Sequence, residues 1–219
     1  MERTDELKQR IKYLLKRKSM LRSMAGDSNV LAEFAEAVRE MSSPRVLELG
    51  TKRLYDERTS MHRELVPNAG EFLGADISAG QDVDIVVDVH ELADKLGDES
   101  FDVIISCSSF EHFKYPHLAA HQIMRTLRIG GAVFIQTHQA YPIHAAPYDY
   151  FRFSREAMNG LFGTKMGFDV IATDYEFPSR IYSKESAKTK FMPAFLNVRL
   201  FGIKTDATPD EFVYELDTE

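Results

Sequence analysis

The chain has 219 residues, 44% of them hydrophobic and 28% charged, with a net charge of −7 at neutral pH. That balance fits one globular domain with a sizeable core and argues against general nucleic-acid binding, which needs a concentrated basic surface. The single cysteine, Cys107, excludes an internal disulfide and a cysteine-based zinc site within one chain; no apolar run is long enough to span a bilayer, and no signal-like core follows Met1, so the cytoplasm is the expected compartment.

Residues 1–43 read as a helical extension. Leu7, Ile11, Leu14, Leu15 and Leu21 recur at helical spacing among basic residues. Residues 1–22 hold eight Lys or Arg against three Asp or Glu, a charge of +5 that leaves −12 for the remainder. Such a helix can cover a crevice of its own domain, pair two subunits as a homodimer, or lie on an anionic surface. Asp27 or Ser28 can cap a second helix running to about Met41, with Val30, Leu31, Phe34, Ala37, Val38 and Met41 as its buried stripe.

Ser42-Ser43-Pro44 stops that helix and launches a core domain over 44–204. Val46-Leu47-Glu48-Leu49-Gly50 reads as a buried strand ending in a tight turn, where a glycine lets a ligand approach the backbone. The following Thr51 to Arg58 is charged and lacks the later glycines that a pyrophosphate requires, which counts against a nicotinamide cofactor. Lys52, Arg53 and Arg58 are available there to meet a carboxylate, or simply to face solvent. Glu71–Asp76 and Val83–Asp88 read as strands that each end in an acid, and Phe101–Ser106 as a strand that runs into Cys107-Ser108-Ser109-Phe110-Glu111-His112. Tyr115-Pro116 opens a helix that Gly130-Gly131 ends before a fifth strand, Ala132–Gln136. Phe168–Thr173 and Asn197–Ile203 read as strands six and seven, and 205–219 as an acidic, solvated tail.

The order of these pieces resembles the class I S-adenosylmethionine-dependent methyltransferases, in particular their small-molecule branch. The resemblance covers roughly residues 45–175 and is carried by the first strand and its glycine, Glu99 to Ser106, Phe110-Glu111-His112, and Arg125 to Gly131. It implies an α/β, Rossmann-like seven-stranded sheet with helices on both faces and the last strand antiparallel. It also implies S-adenosyl-L-methionine as cofactor. Glu48, Gly50 and Thr51 would then form the first turn, and Asp76 with Ile77 would meet the ribose. Asp88 with Val89 would meet the adenine, and Ser106 with Cys107 the methionine portion.

His112 is a general-base candidate because an unperturbed imidazole titrates near neutrality. The loop 138–153 is the least ordinary stretch, with prolines breaking regular structure among histidines, tyrosines, an aspartate and an arginine. It reads as an acceptor-binding loop in which His138, His144 or Asp149 takes a proton, Tyr148 and Tyr150 stack on a ring, and Arg152 pairs with an anion. Its Pro-Tyr-Asp-Tyr-Phe-Arg-Phe run is similar to one in methyltransferase-like proteins of bacterial surface-glycan pathways. Two bland alternatives stay open here, with Tyr150, Phe151 and Phe153 in the core and Arg152 paired to Asp149. A second acceptor loop, 177–195, carries Arg180. His117 and His121 share a helical face, but their spacing indicates no third ligand, and no metal is expected. The sequence thus points to methyl transfer onto a small molecule, an oxygen of a sugar or natural-product scaffold. The alternative is a binding or scaffold protein that kept the fold and lost the chemistry.

Overall fold

Short apolar runs separated by turns and helices build a single mixed sheet in the computed structural model, which describes residues 8, 29–54, 61–182 and 192–213. Its strands are β1 (Arg45–Leu49), β2 (Glu71–Asp76), β3 (Ile85–Val86), β4 (Phe101–Cys107), β5 (Leu127–His138), β6 (Phe168–Ile181) and β7 (Met192–Lys204). They lie in the order β3-β2-β1-β4-β5-β7-β6. The first five run parallel, and β7 inserts antiparallel between β5 and β6. This is the seven-stranded Rossmann-like sheet that the sequence implies.

Alternation along the strands fills both faces, as expected when a mostly parallel sheet is covered on each side. Leu47, Leu49, Ile104, Val133 and Ile135 pack on one face against α3 (Pro116–Thr126) and α4 (Arg155–Leu161), through Ala119, Ile123, Met124, Met158 and Leu161. Their neighbours Val46, Val103, Ile105 and Phe134 pack on the other against α1 (Val30–Arg39). There the Phe34 ring sits 5.1 Å from Phe134 and 5.8 Å from Phe201. A short helix, α2 (Leu92–Leu96), follows β3.

Several boundaries differ from the sequence reading. The cap of α1 is Asn29, whose side chain accepts the Ala32 N–H at 3.3 Å, and Leu31 is turned outward. β3 is reduced to two residues at the sheet edge, flanked by the Asp84 and Val87 N–H groups donating to the β2 carbonyls of Gly74 and Asp76. Helix α3 already ends at Thr126, and Leu127 to Gly131 belong to the bulged start of β5. Strands β6 and β7 run beyond the expected ends, so Phe177–Ile181 and Met192–Phe195, placed in an acceptor loop by sequence, are paired as an extended arm. Residues 205–213 return onto the domain instead of trailing in solvent. His121 donates to the Pro209 carbonyl at 2.8 Å, and the His117 ring lies edge-on to Phe212. This pair of histidines therefore ties down the tail. The basic stretch 7–21 lies outside the described residues apart from Lys8. Among the described residues no helix is long and apolar enough to cross a membrane.

Candidate active site

A cavity of about 440 Å³ opens where the carboxyl ends of β1, β2 and β4 come together. This is the place where open α/β sheets bind ligands. Gly50 forms its floor with φ of +79°, and a side chain there would collide with Ser109, whose Oγ lies 2.0 Å from the position of a Cβ. The turn is held by the Gly50 and Thr51 N–H groups, both donating to the Ala75 carbonyl at 2.8 and 3.2 Å. Ser109 closes it from β4 by donating to the Leu49 carbonyl at 3.3 Å.

Two carboxylates stand on the cavity wall. Asp76 Oδ2 accepts the Lys52 N–H at 3.2 Å, and Oδ1 accepts the Ser78 N–H at 3.0 Å. Oδ1 also accepts from the Ser78 hydroxyl at 3.3 Å, so of the roughly four acceptor positions of a carboxylate one is left, on Oδ2, and the Ser78 hydroxyl can turn to let a second hydroxyl in. Asp88 Oδ1 accepts the His90 N–H at 3.0 Å and faces His90 Nδ1 at 2.6 Å. Because Tyr115 N–H donates to His90 Nε2 at 3.2 Å, the His90 proton sits on Nδ1 and points at Asp88. Asp88 Oδ2 has no hydrogen bond among the described residues. Ile77, Val87 and Val89 supply apolar wall between and beside the two acids.

Four expected cofactor residues do not line this cavity. Strand alternation turns Glu48 and Cys107 to the opposite face, toward α1. There Glu48 Oε1 meets His62 Nδ1 at 2.6 Å and Oε2 accepts the His62 N–H at 2.7 Å. The Cys107 thiol and the Glu48 carboxylate raise His62 to about 10, while burial pushes the Cys107 thiol up. Thr51 is buried beneath the β1–β2 crossing, in contact range of Gly74, and Ser106 is buried inside β4. Arg53, offered by sequence as a ligand for a carboxylate, is bound through two contacts of 2.9 Å to Asp82.

Beside the cavity, the end of β4 and the loop after β5 assemble a second group around Glu111. Its carboxylate is wholly buried. Thr137 donates to Oε2 at 2.7 Å, and three imidazole nitrogens face Oε1: His138 Nε2 at 3.0 Å, His112 Nε2 at 3.8 Å and His144 Nε2 at 3.9 Å. The antiparallel register sets His138 opposite Asn197, whose Oδ1 lies 3.1 Å from His138 Nδ1, and the Tyr141 ring stacks on His138 at 4.0 Å. Burial disfavours charge on both partners, but the attraction between the close-set carboxylate and imidazole prevails, so His138 is raised and Glu111 lowered. Of the three histidines, His112 also lines the cavity, as does Tyr148, whose carbonyl faces His112 Nδ1 at 2.7 Å.

The other loop residues have different duties. Arg152 grips Asp149, with Nη2 at 2.8 Å from Oδ2, and donates to the carbonyls of Tyr141 and Pro142 at 3.2 and 3.1 Å. Arg152 holds the Asp149 carboxyl far below the usual carboxylate range, and Asp149 also accepts the His144 N–H at 2.9 Å. A carboxylate so engaged is a brace for the loop and a weak proton acceptor, which corrects its reading as a base and that of Arg152 as an anion site. Tyr150 contributes its backbone N–H to the Glu111 carbonyl, and its ring is partly exposed outside the cavity. Arg180 is exposed on the β6–β7 arm. Sequence reasoning missed His62, His90, Ser78, Ser109 and Asn197 as parts of these arrangements. Ser78, His90 and Ser109 sit next to residues or motifs the sequence singles out, and the Asn197 pairing depends on strand register.

Residues 59–135 match a family model described as a methyltransferase domain. No curated protein matches the chain. Among solved structures, the YcgJ protein of Bacillus subtilis superposes with a TM-score of 0.57 at 15% identity, covering 81% of this chain and 99% of that one. An S-adenosylmethionine-dependent methyltransferase from Archaeoglobus fulgidus gives 0.56 at 15% identity, covering 80% and 93%. The 1,6-didemethyltoxoflavin-N1-methyltransferase of Burkholderia thailandensis, solved with its acceptor and S-adenosylhomocysteine, gives 0.53 at 14% identity, covering 90% and 88%.

Proposed function

We infer that this chain, which has the class I S-adenosylmethionine-dependent methyltransferase fold and a matching methyltransferase domain, transfers a methyl group from S-adenosyl-L-methionine to a small-molecule acceptor. The observation that carries this reading is the cavity over Gly50 with Asp76 and Asp88 on one wall. Asp76 would hold the ribose hydroxyls and Asp88 Oδ2 the adenine amino group, with Ile77 and Val89 against the base. A sulfonium cofactor needs no phosphate cradle, so a loop without further glycines suffices. Its methyl is already activated, and the protein's task is to align acceptor and methyl and to accept a proton.

The acceptor we propose is a hydroxyl of a sugar or natural-product scaffold. Tyr141, Tyr148 and Tyr150 expose 43%, 63% and 39% of their surface on the loop beside the cavity, which suits stacking on a ring. His112 is the proton acceptor in this reading. With Nδ1–H donated to the Tyr148 carbonyl, its Nε2 lone pair is left for the acceptor. Calorimetric titration with S-adenosylmethionine, S-adenosylhomocysteine and NAD tests the reading. Binding of both adenosyl ligands and not NAD, weakened at least tenfold in Asp76→Ala, is expected. Absence of adenosyl binding would turn the weight to a scaffold that kept the fold alone.

A further inference from the structure

Proton transfer leaves one feature of the histidine cluster unused. Glu111 Oε1 is buried and receives no hydrogen bond of proper geometry, although His138 Nε2 lies only 3.0 Å away. The other oxygen is already satisfied by Thr137. Each ring is anchored through its far nitrogen: His138 Nδ1 on Asn197 Oδ1 at 3.1 Å, His112 Nδ1 on the Tyr148 carbonyl at 2.7 Å, and His144 Nδ1 near the Pro142 carbonyl at 3.3 Å. An imidazole whose Nδ1–H is donated to an oxygen presents its lone pair at Nε2, which is how metal-binding histidines are oriented. The His138 and His144 rings lie 5.1 Å apart at 65°, and the Nε2 atom of each is the one nearest Glu111 Oε1, at 3.0 and 3.9 Å.

We propose that Glu111, His138 and His144 form a binding site for a divalent first-row transition cation of the zinc type. Ligand atoms of these three residues lie within 4.8 Å of one another. Donors about 2.0–2.2 Å from a tetrahedral zinc are separated by about 3.3 Å, and the carboxylate-to-imidazole distances of 3.0 and 3.9 Å bracket that value. Two imidazoles and a carboxylate suit zinc, iron or nickel better than calcium or magnesium, which take oxygen ligands. Asp149, which approaches His144 from outside, is already held by Arg152 and stays out of the set. His112 keeps its place on the cavity wall, so an ion here would stand beside the acceptor pocket, available to an acceptor with oxygen donors. The sequence indicates no metal because Glu111, in the turn after β4, lies far from His138 and His144, and only the fold of the loop after β5 brings the three together.

The test uses chelator-treated full-length protein titrated with Zn²⁺ by calorimetry and with Co²⁺ by visible absorption. One equivalent of each ion is expected to bind, with Co²⁺ developing ligand-field bands of imidazole coordination. His144→Ala and Glu111→Gln should each weaken Zn²⁺ binding at least tenfold, whereas Cys107→Ala, which alters the other Glu–His–Cys group, should not. His144 is partly exposed on a loop, so its variant is expected to fold even where Glu111→Gln does not. Asp76→Ala protein should still take up the ion, which separates this site from the cofactor reading. No stoichiometric uptake of either ion, or uptake indifferent to His144→Ala, overturns the proposal.

Discussion

His62 Nδ1 lies 2.6 Å from Glu48 Oε1, on the face of the sheet opposite the cavity. This contact makes the acid of the first strand a structural anchor for the segment that returns after Gly50, since an unpaired buried carboxylate would be costly. It also makes stability depend on pH. The folded imidazole is raised from the ordinary 6.5 to about 10, so its stabilisation is complete below about pH 6.5 and is lost as pH rises through 10. The His62 side chain is 39% exposed, so solvent screening reduces the effect, and a fall in Tm of about 2–4 °C, equivalent to roughly 1 kcal/mol in a domain of this size, is expected across that window. Cys107, with its thiol raised above 9.0, adds a slope of the same sign only at higher pH. Thermal melts from pH 6 to 10 should therefore show a decline between 6.5 and 9 that disappears in His62→Gln.

Gly50→Ala is expected to damage both fold and cofactor binding. The residue has φ of +79°, which costs an L side chain about 1–2 kcal/mol, and its Cβ would stand 2.0 Å from Ser109 Oγ. Together with the displacement of Ser109, a loss on the order of 2–4 kcal/mol is expected by denaturant unfolding. The double variant Gly50→Ala, Ser109→Ala should recover only the part due to the Oγ collision, since Ser109 Cβ still stands 2.8 Å from the added Cβ. Full recovery would show that the backbone conformation carries no strain.

Asp88→Asn tests the adenine assignment without removing bulk. The amide oxygen can still accept from His90, but the group facing the cavity becomes partly a donor and would oppose an adenine amino group. About a tenfold loss in S-adenosylhomocysteine affinity is expected, corresponding to about 1.4 kcal/mol. An unchanged Kd in calorimetry would place the base elsewhere.

Much of this site was legible because its elements are local. The strand runs ending in Gly50, Asp76 and Asp88 carry apolar continuity and a terminal polar residue in adjacent positions, and all three do line the cavity. Facing was harder to read. A strand buried on both faces gives no polar alternation to show which side a residue takes, so Glu48, Thr51, Ser106 and Cys107 were grouped with the turn they adjoin although none lines the cavity. The loop after β5 was recognisable by composition, yet the division of labour within it depends on pairings at long range. Glu111 gathers histidines from three places in the chain, and Asn197 reaches His138 only through the β5–β7 register. Arg152 and Asp149 are the converse case, three residues apart, and of the two readings the sequence leaves open for them the internal pair is the one formed.

Arg152→Met separates bracing from chemistry in that loop. Arg152 draws together Asp149 and the carbonyls of Tyr141, Pro142 and Phe151, and Asp149 in turn fixes the His144 backbone. The order these charged hydrogen bonds impose is local to the loop. The cavity wall formed by Gly50, Asp76 and Asp88 does not depend on it. Cofactor affinity should therefore stay within about threefold of the parent, a change below 1 kcal/mol. Limited proteolysis should cut faster within 138–153, and any acceptor turnover should fall at least tenfold through a higher KM as Tyr148 and His144 lose their positions. A parallel loss of cofactor binding would mean that the loop braces the cofactor cavity as well, and unchanged proteolysis would remove Arg152 from the role of brace.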